Sequence, residues 1–274
     1  MMTLPLHHFE VTRQLGLLKP PAGFVSALPR LEQTVPALAL GELHSIAASG
    51  VADGRQKFDW VTGLIADQGS AGSCNGWAGA RALTRARIRR GLSPVLLSGS
   101  YLYSLINGGR DNGSMLEDGM LTLQSRGCAS DAVVSANEIY PSQYDRQKAD
   151  HEASYYKAFE CYAVETMEGL FTAAAIGFDL VVAVDVQSDF SKLDVNGFPH
   201  GGSGGGNHAV AADGMIAVNG ELALTAYNSW GPRWGQNGRM LLTWSRHFVK
   251  TFHNHTFYAI RSSTDGNESP PAIT

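Results

Sequence analysis

A cysteine, a histidine and an asparagine in this 274-residue chain have the types and spacing of an acyl-transfer centre. Cys74 ends a polar, glycine-rich stretch that begins at Asp67, and it opens a run that reads as a helix. His208 lies 134 positions after it, and Asn228 lies 154 positions after it. The thiolate is the nucleophilic form of cysteine, and the positive end of a helix dipole favours it. A protonated His208 would favour it further and later donate its proton to a leaving amine. Asn228 would accept the ring N–H and keep the other ring nitrogen facing the sulfur. Gln68 would donate its side-chain amide to the developing oxyanion, with the Cys74 backbone N–H as second donor. Gly69 and Gly72 would let the backbone pass close to a substrate. This chemistry calls for no cofactor and no metal.

Three segments carry a family resemblance. Gln68-Gly-Ser-Ala-Gly-Ser-Cys74, Asn207-His208-Ala-Val210 and Asn228-Ser-Trp-Gly-Pro-Arg-Trp-Gly-Gln-Asn-Gly238 stand in the order and spacing of a papain/cathepsin signature. From Phe58 to Arg261 the chain resembles a papain-like cysteine protease of the C1 type. The resemblance implies a cysteine endopeptidase acting on peptide or protein substrates through an acyl-enzyme. It also implies that Trp230 shields the His208–Asn228 hydrogen bond. Asn112-Gly113-Ser114-Met115 takes the place of the family's glycine-rich wall, where a backbone N–H and C=O pair with an extended peptide. By the same resemblance Met115, Val184 and Ala209 line the pocket for the second residue before the cut. The chain departs from the animal and plant pattern after the nucleophile, with Asn75-Gly76-Trp77 instead of an immediate tryptophan. Bacterial and viral-type relatives vary there, and the packing under the nucleophile must differ.

The elements that must position these residues change character along the chain. Cys74–Arg90 reads as a helix stopped by Gly91, followed by helices over Leu96–Asn107 and Met115–Arg126. A further helix is expected over Glu165–Gly177. Strands are expected over Leu180–Val186, Ala209–Val218, Glu221–Tyr227, Arg239–Trp244 and Phe257–Arg261, with a type I′ turn at Asn219-Gly220. Helices first and antiparallel strands later give an α+β protein. The resemblance makes this a two-lobe fold, with a helical lobe (58–163), a barrel-like β lobe (164–262) and the active site between them. Residues 1–57 contain an amphipathic segment over Leu31–Ala48. The resemblance suggests an inhibitory prosegment lying along the cleft, although the family's usual long helical prosegment motif is absent, and the alternative is a structural arm that only adds stability. The tail 263–274 reads as flexible.

Composition narrows the alternatives. The chain is 44% hydrophobic and 17% charged, with a formal net charge of −4, so no basic surface argues for nucleic acid. Arg81, Arg85 and Arg89 share a helical face, which reads as a solvated face. No apolar run reaches the roughly 18 residues of a membrane span. The first residues lack the pattern of a secretory signal. Only three cysteines are present, and the resemblance puts Ala71 where secreted relatives usually carry a paired one. Cys128 and Cys161 are therefore expected to be free thiols. The protein is expected in the cytoplasm, or exported without a classical signal. His247, His253 and His255 lack an accompanying cysteine pair and do not read as a metal site. A nucleophile elbow around Cys74 would need an apolar strand before it, which Gln68–Ser73 is not. The other class of reading is a papain-fold protein reduced to binding or structure. The retention of Cys74, His208, Asn228 and Gln68 argues against it.

Overall fold

The computed structural model describes residues 14–55, 57–186, 189–200, 208–248 and 256–262. Its centre is helix α3 (Cys74–Arg89), buried along almost its whole length. Small residues explain how so many elements reach it. A Cβ on Gly76 would collide with the Gly99 carbonyl, so α4 (Gly99–Ile106) crosses with backbones nearly in contact. Helix α5 (Leu116–Ser125) packs beside both. Helix α6 (Arg146–Ala153) and strand β1 (Ala158–Val164), neither evident from the sequence, complete this half. In β1 the alternation is blunted by an exposed Phe159 and an intermediate Glu160.

The second half is a six-stranded antiparallel sheet. Its members are β1, β2 (Asp179–Val184), β3 (His208–Val218), β4 (Glu221–Tyr227), β5 (Arg239–Thr243) and β6 (Phe257–Ser262). The order is β1-β6-β2-β3-β4-β5. Asn219 and Gly220 both have positive φ, 52° and 81°, as the expected I′ turn requires. The outer strands β1 and β5 do not pair, so the sheet is open and the expected barrel does not close. Both faces are instead covered. Helix α3 lies on one face, where Ala183, Ala209 and Ala211 leave it room; α7 (Met167–Ala175) and α2 (Leu40–Ser49) lie on the other. A strand covered on both sides reads as a continuous apolar run, which is how Leu180–Val184 reads.

The segment expected to be a detachable extension is largely built into the β lobe. The single amphipathic element over Leu31–Ala48 is broken into α1 (Leu31–Thr34) and α2. Pro36 holds Val35 in extended backbone, at φ −121° and ψ 118°. Leu31, Leu43, Ala47 and Ala52 belong to the same core cluster as Phe171, Phe178 and Leu224. Arg30 bridges Ala163, and one Glu32 carboxylate oxygen accepts the N–H groups of Glu165 and Thr166 at 2.9 and 3.0 Å.

The arginine face is also not solvated. Arg81, Arg85 and Arg87 are buried, because this side of α3 faces acidic and aromatic groups rather than water. Arg81 pairs with Asp131 at 2.5 Å, Arg89 with Asp179 at 2.9 Å, and fully buried Arg85 with Asp213 at 3.4 Å. Burial raises the Asp179 carboxyl to about 6, against the pull of Arg89. The Arg89–Asp179 and Arg85–Asp213 pairs join α3 to β2 and β3.

Candidate active site

Cys74 is the first residue of α3, so the expected helix N-terminus is present beneath its sulfur. His208 is the first residue of β3, and Asn228 follows the last residue of β4. Because β3 and β4 are hairpin neighbours, residues 20 apart in sequence meet: His208 Nε2 lies 2.7 Å from Asn228 Oδ1. With Nε2 engaged, Nδ1 is the second ring nitrogen. The Trp230 ring lies over His208, centroids 4.8 Å apart, and itself abuts Phe190 and Trp234. The lobes meet at Cys74, which is buried in the same cluster as Ala209 of β3.

Gln68 is held by the asparagine block. Its backbone N–H donates to Ser229 O at 2.8 Å, and its Oε1 accepts from Ser229 Oγ at 2.6 Å. Gly231 N–H donates to Ala66 O, closing a short two-stranded ribbon across the lobes. The Gln68 amide Nε2 donates to Ala71 O at 2.8 Å and lies 3.5 Å from Gln14 O. Behind Ala71 O, the next carbonyl within reach of this donor is Gln14 O of the chain's own N-terminal strap.

That strap fills the cleft. Gly16 O accepts from Ser114 N–H at 2.9 Å, and Ser114 O accepts from Leu18 N–H at 3.0 Å, so the strap takes both backbone groups of the wall. Leu17 joins the apolar cluster that contains Cys74, Leu116, Ala183 and Ala209. Only glycine fits at this crossing. A Cβ on Gly16 would strike the Gly72 carbonyl, and one on Gly113 would strike the Gly16 carbonyl. Cys74 is therefore completely buried. Burial pushes its thiol up, opposed by the N–H groups of Ala209, Gly16 and Asn75.

The remaining expected pocket residues divide. Ser114 and Ala209 face the cleft cluster or the strap, and Met115 sits just before α5. Val184 does not reach that wall. It belongs to the core on the other face of the sheet, whereas Ala183, one position earlier, pairs with Ala209 and shares its cluster. An uninterrupted run of apolar residues hides strand parity, so the sequence offered no means of choosing between them. The glycine-rich stretch 201–206, together with Asn207, His253, His255 and residues 263–274, lies outside the described residues.

Cys128 and Cys161 are buried free thiols, as expected from their small number. Burial raises both thiols well above the usual range. Native protein is expected to alkylate at neither, and denatured protein at both; peptide mass mapping after timed iodoacetamide exposure checks this. Cys74 is also expected to alkylate slowly in the intact chain, because it is completely buried beneath the strap.

Among the described residues no helix is long and apolar enough to cross a membrane. The sequence profile of the papain family cysteine proteases matches residues 51–259. No curated protein sequence matches the chain. Among solved structures, xylellain, a cysteine protease from Xylella fastidiosa, is 20% identical with a TM-score of 0.59, covering 73% of this chain and 82% of that one. The proform of Amb a 11, a ragweed pollen cysteine protease, is 21% identical with a TM-score of 0.59, covering 73% of this chain and 61% of that one. Digestive procathepsin L 3 of Tenebrio molitor larval midgut is 16% identical with a TM-score of 0.55, covering 92% and 76%. With the family profile spanning most of the chain and the α+β fold matching these enzymes, the chain belongs to the papain family of cysteine proteases and is a hydrolase.

Proposed function

We propose that the chain is an endopeptidase whose nucleophile is Cys74, with His208 as general acid and base and Asn228 orienting the ring. The observation that carries this reading is the joining of three distant segments. The His208–Asn228 bond of 2.7 Å lies under Trp230, and Ala209, the residue after His208, shares a buried cluster with Cys74. The thiolate attacks a peptide carbonyl, and the Cys74 N–H and Gln68 amide hold the oxyanion. His208 protonates the amine as the C–N bond breaks, and water releases the acyl group by the reverse proton path. Gln68 must exchange its bond to Ala71 O for the substrate oxygen. The wall at Gly113–Ser114 offers groups for the interior of an extended peptide and no charged partner for a terminus, which favours internal cleavage. Hydrolysis of a peptide library, blocked by an epoxide-type thiol inhibitor that labels Cys74, tests the assignment; labelling elsewhere with loss of activity overturns it.

Residues up to about 18 form the inhibitory segment in this reading, and residues from about 28 onward are permanent structure. Two solved relatives are proforms, by their descriptions. Removing residues 1–27 is expected to leave a folded, more active protein. Removing 1–56 strips Leu31 and Leu43 from the core and is expected to cost several kcal/mol, at about 2–5 for each lost leucine. Thermal denaturation of the two truncations distinguishes them. Equal stability would mean that the whole extension is dispensable.

A further inference from the structure

The position after the nucleophile, where this chain departs from the usual tryptophan, holds a fully buried asparagine. Asn75 Nδ2 donates to Ser114 Oγ at 3.0 Å and to Met115 O at 2.6 Å. Gly119 of α5 leaves space for it, since a Cβ there would lie 3.0 Å from Asn75 Oδ1. Ser114 is the residue whose backbone N–H and C=O are offered to whatever chain lies in the cleft. One side chain on the nucleophile's helix therefore grips the wall from behind while the wall's front grips a peptide.

The wall needs such a grip. Residues 111–113 form no regular element, and Gly113 has a φ of 89°. A second tether holds the other end. Tyr103 Oη donates to Asp111 Oδ1 at 2.7 Å and accepts Gly113 N–H at 2.9 Å, while Gly72 N–H donates to the same Asp111 oxygen at 2.9 Å. Both tethers run to the loop and helix that carry Cys74.

We propose that Asn75 is a positioning residue that fixes the peptide-binding wall relative to Cys74, so that a peptide backbone meets a wall already in place. This rests on the assignment of Cys74 and Gly113–Ser114 made above. Without the Asn75 amide, part of the wall must be ordered by the peptide itself, and binding weakens by that amount. The chemical step is untouched, because Asn75 contacts neither the imidazole nor the oxyanion donor through its side chain. The strap uses the same wall, so the same loss loosens the strap.

The experiment compares Asn75→Ala, Asn75→Asp and Tyr103→Phe in the full-length chain, with Gly16 intact or replaced by valine. In the Gly16→Val background KM for a peptide substrate is expected to rise about tenfold in Asn75→Ala, with kcat within about threefold. In the intact chain, Cys74 alkylation by iodoacetamide is expected to accelerate several-fold. Tyr103→Phe should move both readings in the same direction. Asn75→Asp keeps the volume and removes the donor, so it reports if the alanine variant unfolds. A folded Asn75→Asp with unchanged KM and unchanged alkylation overturns the proposal, as does a fall in kcat alone. A folded Gly16→Val chain that alkylates readily at Cys74 but cleaves no peptide overturns the peptidase reading instead, and the alkylation comparison still reads the tether.

Discussion

Replacing Cys74 by alanine is expected to abolish peptide hydrolysis, a loss of about 10⁴-fold or more. In the reading proposed above the Cys74 sulfur is the attacking atom, so the acyl bond is not formed without it. Residues that act as one catalytic unit show losses of this size when any one is removed. The substitution removes a single buried atom and leaves the backbone around it in place. Stability should therefore change by only about 1 kcal/mol. The measurement is turnover of the best peptide from the library, with circular dichroism and thermal melting as controls. Residual turnover within tenfold of the unmodified chain would place the nucleophile elsewhere. Alanine at Cys128 provides the contrast, since that buried thiol donates only to Ser98 O and Ala129 O.

Gly16→Val is expected to act in the opposite direction. The strap passes so close to Gly72 and Gly113 that no side chain fits at position 16. The obstacle is a backbone carbonyl, which has no rotamer by which to yield. The strap must then leave its two hydrogen bonds to Ser114 and withdraw Leu17 from the apolar cluster. Two such bonds at about 1 kcal/mol each and one buried leucine at about 2 kcal/mol, less the entropy regained, leave roughly 3 kcal/mol holding the closed state. At 1.36 kcal/mol per factor of ten, Cys74 alkylation and peptide hydrolysis should both rise on the order of 10²-fold. The pH profile should move as well. In the closed state burial raises the Cys74 thiol, so the reactive thiolate is gained only as the pH is taken above the ordinary thiol range. Once the strap is displaced that burial is relieved, and reactivity should begin at lower pH. Unchanged alkylation, in rate and in pH profile, would show that the strap does not gate the thiol.

The proposed catalytic set was legible in the sequence because its chemistry tolerates few residue types at few spacings. Cys74, His208, Asn228 and Gln68 are each tied to an element whose signals are local: a helix start, a strand start, a strand end and a glycine-flanked loop. The I′ turn at Asn219-Gly220 was legible for the same reason, since positive φ at two successive positions selects those residues. What the tertiary structure alone decided involves contacts across long sequence separations. The charged face of Arg81, Arg85 and Arg89 looks solvated on an isolated helix; it is buried because Asp131, Asp179 and Asp213 arrive from other elements. Val184 and Ala183 exchange roles because both faces of β2 are covered, which removes the alternation that would mark the faces. Residues 31–52 look like a removable leader until Leu31 and Leu43 are seen inside the β-lobe core. Asn75 reads as a mere departure from a pattern until Ser114 and Met115, some 40 positions later, are found bound to its amide.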